Sequence, residues 1–137
     1  MSIFGCRCKC SCLVAAVILG VILGVVGAFL QITGMITVTP AFLWVLLGVA
    51  LVYLGVLVLA AAWAGGDDAI GCCLCQILNA LLVGILGTAL FAVVLLGIGI
   101  VATSILSAVL VGVLLFFFWL TLGTTACLVR SLFACGC

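Results

Sequence analysis

Long stretches of this chain contain no charged side chain. The whole sequence of 137 residues holds three basic residues, two acidic residues and no histidine. About 72% of the residues are hydrophobic and 4% are charged, whereas an ordinary soluble domain is about 45–50% apolar and about 25% charged. So few charges cannot give the chain a water-wetted surface, so its exterior must contact lipid or copies of itself. The net charge of +1, without a basic patch, indicates no nucleic-acid partner.

The hydrophobic runs predict four membrane-spanning helices, because a crossing takes about 20 apolar residues. The segment ITVTP (36–40) reads as an extended connector, and Pro40 is typical of a helix start. A polar loop, GGDDAIGCCLCQ (65–76), follows the second run. The apolar run 77–129 would be roughly 80 Å long as one helix, so it must turn within 97–107. The prediction is a single all-α domain, a four-helix transmembrane bundle of two helical hairpins, with tails at 1–12 and 130–137 and helices at about 13–30, 41–64, 77–100 and 105–129.

Two further patterns bear on the architecture. The stretch VLLGVAL (45–51) aligns with VLVGVLL (109–115), which suggests a parallel internal duplication about an axis along the membrane normal. Trp44 and Trp63 would lie roughly 28 Å apart along an ideal helix. That distance matches the hydrocarbon thickness, so they are predicted to anchor the second helix at the two interfaces, the alternative being two incidental core residues.

Small residues recur at four-residue spacing along the predicted helices. Such stripes let helix backbones approach closely in lipid, where no hydrophobic force drives helices together. The sequence leaves open whether this packing occurs within one chain or between chains. The stripes are Ala16, Gly20, Gly24 and Ala28; Ala80, Gly84, Thr88 and Ala92; and Ser104, Ala108 and Gly112.

The ten cysteines are all predicted to lie on one side of the membrane. Four crossings return the chain to its starting side, so both tails and the central loop share a face. The positive-inside rule would make this face cytoplasmic, because Arg7, Lys9 and Arg130 lie on it. The cysteines are Cys6, Cys8, Cys10 and Cys12, here called the cysteine comb, then Cys72, Cys73, Cys75, Cys127, Cys135 and Cys137.

The spacing of the comb favours links to other segments. In an extended strand residues i and i+2 are about 6.6 Å apart, whereas bonded cysteines need Cβ atoms at roughly 3.8 Å. The leading hypothesis is a structural protein that self-assembles as an oligomer or filament in lipid, its subunits packed through the small-residue stripes and joined by disulfides. Cys6, Cys8, Cys10, Cys12, Cys135 and Cys137 are the predicted intermolecular linkers, and Cys72, Cys73, Cys75 and Cys127 are predicted to pair within the subunit or with an incoming tail.

Three alternatives remain open for the thiols. Cys72, Cys73 and Cys75 could bind a soft metal. Cys72-x-x-Cys75 could serve a membrane thiol–disulfide oxidoreductase. Cysteines beside a membrane are also common lipidation sites. The sequence makes an enzyme the less favoured class and implies no cofactor. Transport is disfavoured because no charged residue lies within a predicted span.

The stretches ITVTPAFLWVLLGVALVYLGVLVLAAA (36–62), CCLC (72–75) and VLLFFFWLTLGTTACLVR (113–130) carry a resemblance. The chain is similar to small cysteine-rich membrane proteins of unknown function from spore-forming Firmicutes. The resemblance covers most of the chain and implies no catalytic residues. It implies a protein of the bacterial cell envelope or spore.

Overall fold

Four α-helices account for nearly all of the chain whose structure is described. The computed structural model describes the backbone of residues 11–63, 72–98 and 104–135, and the side chains of 12–59, 77–98 and 104–130. The helices are α1 (Ser11–Ile32), α2 (Pro40–Trp63), α3 (Cys72–Ile98) and α4 (Ile105–Cys135), and no strand occurs in these ranges. All four are long and apolar enough to cross a membrane. The predicted all-α transmembrane bundle is confirmed.

The connector between α1 and α2 ends one helix and starts the next with local hydrogen bonds. The amide of Met35 donates to the Leu30 carbonyl at 3.1 Å and that of Gly34 to the Gln31 carbonyl at 3.2 Å, which is a Schellman C-cap. Gly34 takes the left-handed φ of 71° that this cap requires. Pro40 begins α2, and the hydroxyl of Thr39 accepts a 3.4 Å hydrogen bond from the Phe42 amide, as an N-cap does.

Helices α3 and α4 are longer than the sequence predicted. Helix α3 begins at Cys72, inside the predicted polar loop, and α4 continues to Cys135, through residues predicted as a tail. Neither added segment contains glycine or proline, and extending an existing helix costs far less than nucleating one.

The helices pack in the order α1, α4, α3, α2. Helix α1 lies along α4, α4 along α3, and α3 along α2. Among the described residues, α1 and α2 make no contact of comparable extent although they are consecutive. The predicted duplication would make the α1–α2 pair equivalent to α3–α4, so the two halves of the chain do not pack alike. Helix α4 therefore occupies a central position between α1 and α3.

The core lies where α2, α3 and α4 meet, and the outer faces remain apolar. The larger cluster combines Leu43 and Leu46 of α2, Ala92 and Leu95 of α3, and Val111 and Leu114 of α4. In contrast, Phe29, Trp44 and Val52 expose about two thirds of their surface, at 65%, 64% and 66%. Large hydrophobic side chains on the outside suit a hydrocarbon surrounding rather than water.

Threonine hydroxyls inside the bundle are satisfied by their own helices. In α4, Thr121 donates to the Phe117 carbonyl at 2.8 Å, and the fully buried Thr124 donates to the Leu120 carbonyl at 2.7 Å. A polar group in hydrocarbon needs such a partner. These bonds to carbonyls one turn earlier allow α4 to carry threonines while remaining a membrane-spanning helix.

Candidate functional site

The contact between α1 and α4, here called the α1–α4 seam, is built from small residues on both helices. A Cβ placed on Gly24 would lie 2.9 Å from the Gly112 carbonyl oxygen, and one on Gly112 would lie 2.8 Å from the Cβ of Ala28. Toward the other end, a Cβ on Gly123 would lie 2.7 Å from the Cβ of Ala16. The two backbones can approach this closely because these positions carry glycine or alanine in place of a larger residue.

The α3–α4 contact also uses small residues. A Cβ on Gly84 would lie 2.6 Å from the Thr121 hydroxyl oxygen. Thr88 is buried and donates a 2.8 Å hydrogen bond to the Gly84 carbonyl. Of the remaining stripe residues, Gly20, Ala92 and Ala108 are buried, and Ala80 and Ser104 are half-buried. Residues of all three predicted stripes thus contribute to packing within one subunit.

Two glycines outside the stripes receive large side chains of α4, and sequence reasoning missed both. Leu115 fills the space beside Gly27. Phe117 fills the space beside Gly87, where a Cβ would lie 2.5 Å from the ring, and it also stacks on Phe91 with centroids 5.7 Å apart. For Gly87 the usable signal was the run FFFW (116–119), which contains Phe117.

A disulfide joins the first turn of α1 to α4. Cys12 bonds to Cys127 with their Cα atoms 6.1 Å apart. Cys127 is only 6% exposed, whereas Cys12 is half-buried. The bond closes the α1–α4 seam one turn beyond the contact between Ala16 and Gly123. We call this end of the bundle, where α1 and α3 begin and α2 and α4 end, the cysteine end.

The disulfide bears on one sequence-based assignment. Cys12 was predicted to link different subunits, whereas in this structure its partner is Cys127 of the same chain. The physical reason is that helix α1 already begins at Ser11. Cys12 is therefore held in the seam beside α4 instead of standing in a free tail. Cys127 was placed among the thiols that pair within the subunit or with a tail, and it bonds to the last cysteine of the comb.

The chain matches no protein-family model, no curated protein and no solved structure. Its function is therefore argued from the arrangement of its own residues. The cysteines at one end of the bundle carry most of that argument.

Most of the remaining cysteines lie at or beyond the edge of what the structure describes. Helix α3 begins at Cys72 and α4 ends at Cys135, so the backbone brings both to the cysteine end. The side chains of Cys72, Cys73, Cys75 and Cys135 lie outside the described residues, as do Cys6, Cys8, Cys10 and Cys137 entirely. Among the side chains that are described, no group of three or more potential metal ligands occurs. The alternative metal site at residues 72–75 falls outside that set.

Helix α2 presents an open face that no other described element covers. A Cβ placed on Gly48 or on Gly55 would have no atom within 4 Å, and these glycines are about two helical turns apart, so they share this face. Trp44, predicted as an interface anchor, lies one turn from Gly48 and is 64% exposed. The side chain of Trp63, the second predicted anchor, lies outside the described residues.

Two buried polar side chains lie toward the opposite end of the bundle. Gln31, near the end of α1, is 1% exposed, and Ser107, in the first turn of α4, is 7% exposed. Neither the Gln31 amide nor the Ser107 hydroxyl has a hydrogen-bond partner among the described residues. A buried polar group without a partner costs about 1–3 kcal/mol, so both side chains reduce the stability of the subunit.

Proposed function

We propose that this chain is a structural membrane protein that associates with copies of itself and is joined to them by disulfides at the cysteine end. The observation that carries the proposal is the Cys12–Cys127 disulfide. It supports a location in which thiols at this end become oxidised, and it draws the base of the cysteine comb and the last turns of α4 together. Of the other eight cysteines, four lie in the backbone of α3 and α4 near this end, and the other four precede α1 or follow α4 in the sequence.

The open face of α2 supports the self-association half of the proposal. The α1, α3 and α4 glycines at positions 24, 84 and 112 are closed by neighbouring helices, whereas Gly48 and Gly55 are open. Helix α2 contacts mainly α3, so its outer surface is free to meet the α2 helix of a second copy. Close helix approach through glycine is the usual means of association in lipid.

The gel mobility of protein extracted from membranes tests whether disulfides join the subunits. Free thiols are blocked with N-ethylmaleimide before solubilisation, and the protein is run with and without reductant. We expect a ladder of oligomers that collapses to monomer on reduction. A variant with Cys6, Cys8, Cys10, Cys135 and Cys137 replaced by serine should lose the ladder. Its matched control, Cys73→Ser, should keep it. Monomer under both conditions in the parent protein would contradict the proposal.

A second candidate function, thiol–disulfide oxidoreductase, is favoured by the start of α3. Because the helix begins at Cys72, the pair Cys72-x-x-Cys75 occupies its first turn, where the helix dipole favours thiolates in redox-active pairs. Such an enzyme would pass electrons from a dithiol to a quinone. Quinone reduction that is lost in both Cys72→Ser and Cys75→Ser, but kept in Cys73→Ser, would support this function over the structural one.

The bacterial envelope or spore is the location that we propose, and it rests on the resemblance of the hydrophobic and cysteine-rich segments. Four helices able to span a membrane are consistent with an envelope protein. Fractionation of the producing cells, followed by immunodetection in membrane and spore fractions, tests the location.

A further inference from the structure

We infer that the Cys12–Cys127 disulfide is exchanged for a link between subunits, so that it serves as the source of the first intermolecular bond. The inference rests on the proposed self-assembly and goes beyond it, because it specifies which bond breaks, which sulfur is attacked and why no external oxidant is needed. Its starting point is the unequal accessibility of the two bonded cysteines.

The attacked sulfur is that of Cys12. Cys127 is 6% exposed, and Cys12 is half-buried. Below the disulfide, the seam is closed by the contact between Ala16 and Gly123, where a Cβ on the glycine would lie 2.7 Å from the alanine. A thiol that reaches the bond from the cysteine end is therefore expected to attack Cys12, the more exposed of the two cysteines.

The position of the bond makes a comb thiol of another subunit the natural attacking group. Cys12 lies in the first turn of α1, which begins at Ser11, and Cys127 lies about two turns before the end of α4 at Cys135. The disulfide thus lies at the cysteine end of the bundle. Cys6, Cys8 and Cys10 precede Cys12 closely in sequence, so a second copy that meets this end brings comb thiols of its own.

The exchange balances without a further reactant. A comb thiol of the second copy loses its proton to water, and the resulting thiolate attacks the Sγ atom of Cys12. A sulfur–sulfur bond forms between the copies as the Cys12–Cys127 bond breaks. Cys127 leaves as a thiolate and takes up a proton. One disulfide is consumed and one is formed, so the number of disulfides is unchanged.

A mixing experiment in deoxygenated vesicles tests the exchange. The donor retains only Cys12 and Cys127, with the disulfide formed, and the acceptor retains only Cys10, in reduced form and with a larger tag. We expect a heterodimer on a non-reducing gel, a Cys10–Cys12 linked peptide by mass spectrometry, and one newly alkylatable Cys127 thiol per heterodimer. The donor carrying Cys127→Ser keeps Cys12 as a reduced thiol and should give no heterodimer without oxygen.

Three results would overturn the exchange. The first is a heterodimer that forms in air but not in the absence of oxygen. That result would reject the exchange and leave the proposed cross-linking in place. The second is a link to Cys127 in place of Cys12. The third is an equal yield from the Cys127→Ser donor. Absence of heterodimer both with and without oxygen would reject the exchange and count against cross-linking through the comb as well. Donor folding is checked by the mobility shift of its own disulfide on reduction.

Discussion

Gly24 and Gly48 occupy membrane-spanning helices of similar composition, but their surroundings are opposite. A methyl group on Gly24 would meet the Gly112 carbonyl oxygen at 2.9 Å, whereas one on Gly48 would meet nothing within 4 Å. We therefore expect Gly24→Ala to lower the free energy of unfolding by about 1–3 kcal/mol, as overpacking does. Gly48→Ala should be neutral or slightly stabilising, since alanine favours helix. Unfolding in mixed detergent micelles measures both, and equal effects would contradict the α1–α4 seam.

A larger substitution at Gly48 separates an effect on association from an effect on folding. Gly48→Leu adds a large side chain to the open face of α2, where an added Cβ would meet no atom within 4 Å. If α2 helices of two copies meet there, this variant should show less oligomer by energy transfer between labelled copies in vesicles, while its unfolding free energy stays close to that of the parent. Unchanged energy transfer would remove α2 from the association surface.

Gln31 offers a residue whose replacement should stabilise the protein. Its amide is buried without a hydrogen-bond partner among the described residues. Methionine has a similar shape and no strong polar group, so Gln31→Met should raise the unfolding free energy by about 1–3 kcal/mol. Gln31→Glu, the matched polar control, should lower it. A loss of stability in the methionine variant would reveal that the amide is satisfied in the membrane.

At the level of the helix, the end of α1 depends on one backbone conformation. Gly34 has a φ of 71°, and a methyl group there would meet no atom within 4 Å. Any cost of Gly34→Ala is therefore conformational, and we expect about 1–2 kcal/mol. Gly34→Asn should cost less, because asparagine tolerates this region. Gly97→Ala, in an equally open position inside α3, is the control and should not destabilise. Unfolding measurements on the three variants check the order.

The connector between α1 and α2 could be predicted from the sequence better than the pairing of the helices. Pro40 acts through the local backbone, so its role was readable before any packing was known. The small-residue stripes marked packed faces, but not the helix that each face would meet, because the helices are apolar all round and lipid imposes no polar side. The pairing of α1 with α4, and the glycines at 27 and 87, depend on the shape of the neighbouring helix. A single sequence does not encode that shape in any periodic pattern.

For the molecule as a whole, two physical rules disagree about orientation. Arg7, Lys9 and Arg130 favour a cytoplasmic cysteine end, but the Cys12–Cys127 disulfide favours an oxidising compartment. We give the disulfide more weight than the charge bias, which comes from only three basic residues. A membrane-impermeant maleimide should then label Cys135 from the outer side and Thr37→Cys, in the exposed connector, from the cytoplasm. Cytoplasmic labelling of Cys135 would restore the charge-based orientation, and labelling of both from one compartment would contradict four crossings.

The number of helices followed from composition and length, whereas the disulfide partner did not. Ten cysteines allow many pairings, and the sequence placed Cys12 in the N-terminal tail with the other comb cysteines. Only the register of α1 against α4 brings it to Cys127. That register is set by glycines whose partners lie at the far end of the chain, such as Gly24 with Gly112.

The α1–α4 seam also determines when, during synthesis, the Cys12–Cys127 disulfide can form. The bonded cysteines are separated by 115 positions, so the first helix inserts into the bilayer long before its partner leaves the ribosome. Until then its glycine face is covered only by acyl chains. Formation of this particular bond is thus a late biosynthetic event, because a polypeptide that stops before the last helix has no Cys127 with which Cys12 can pair.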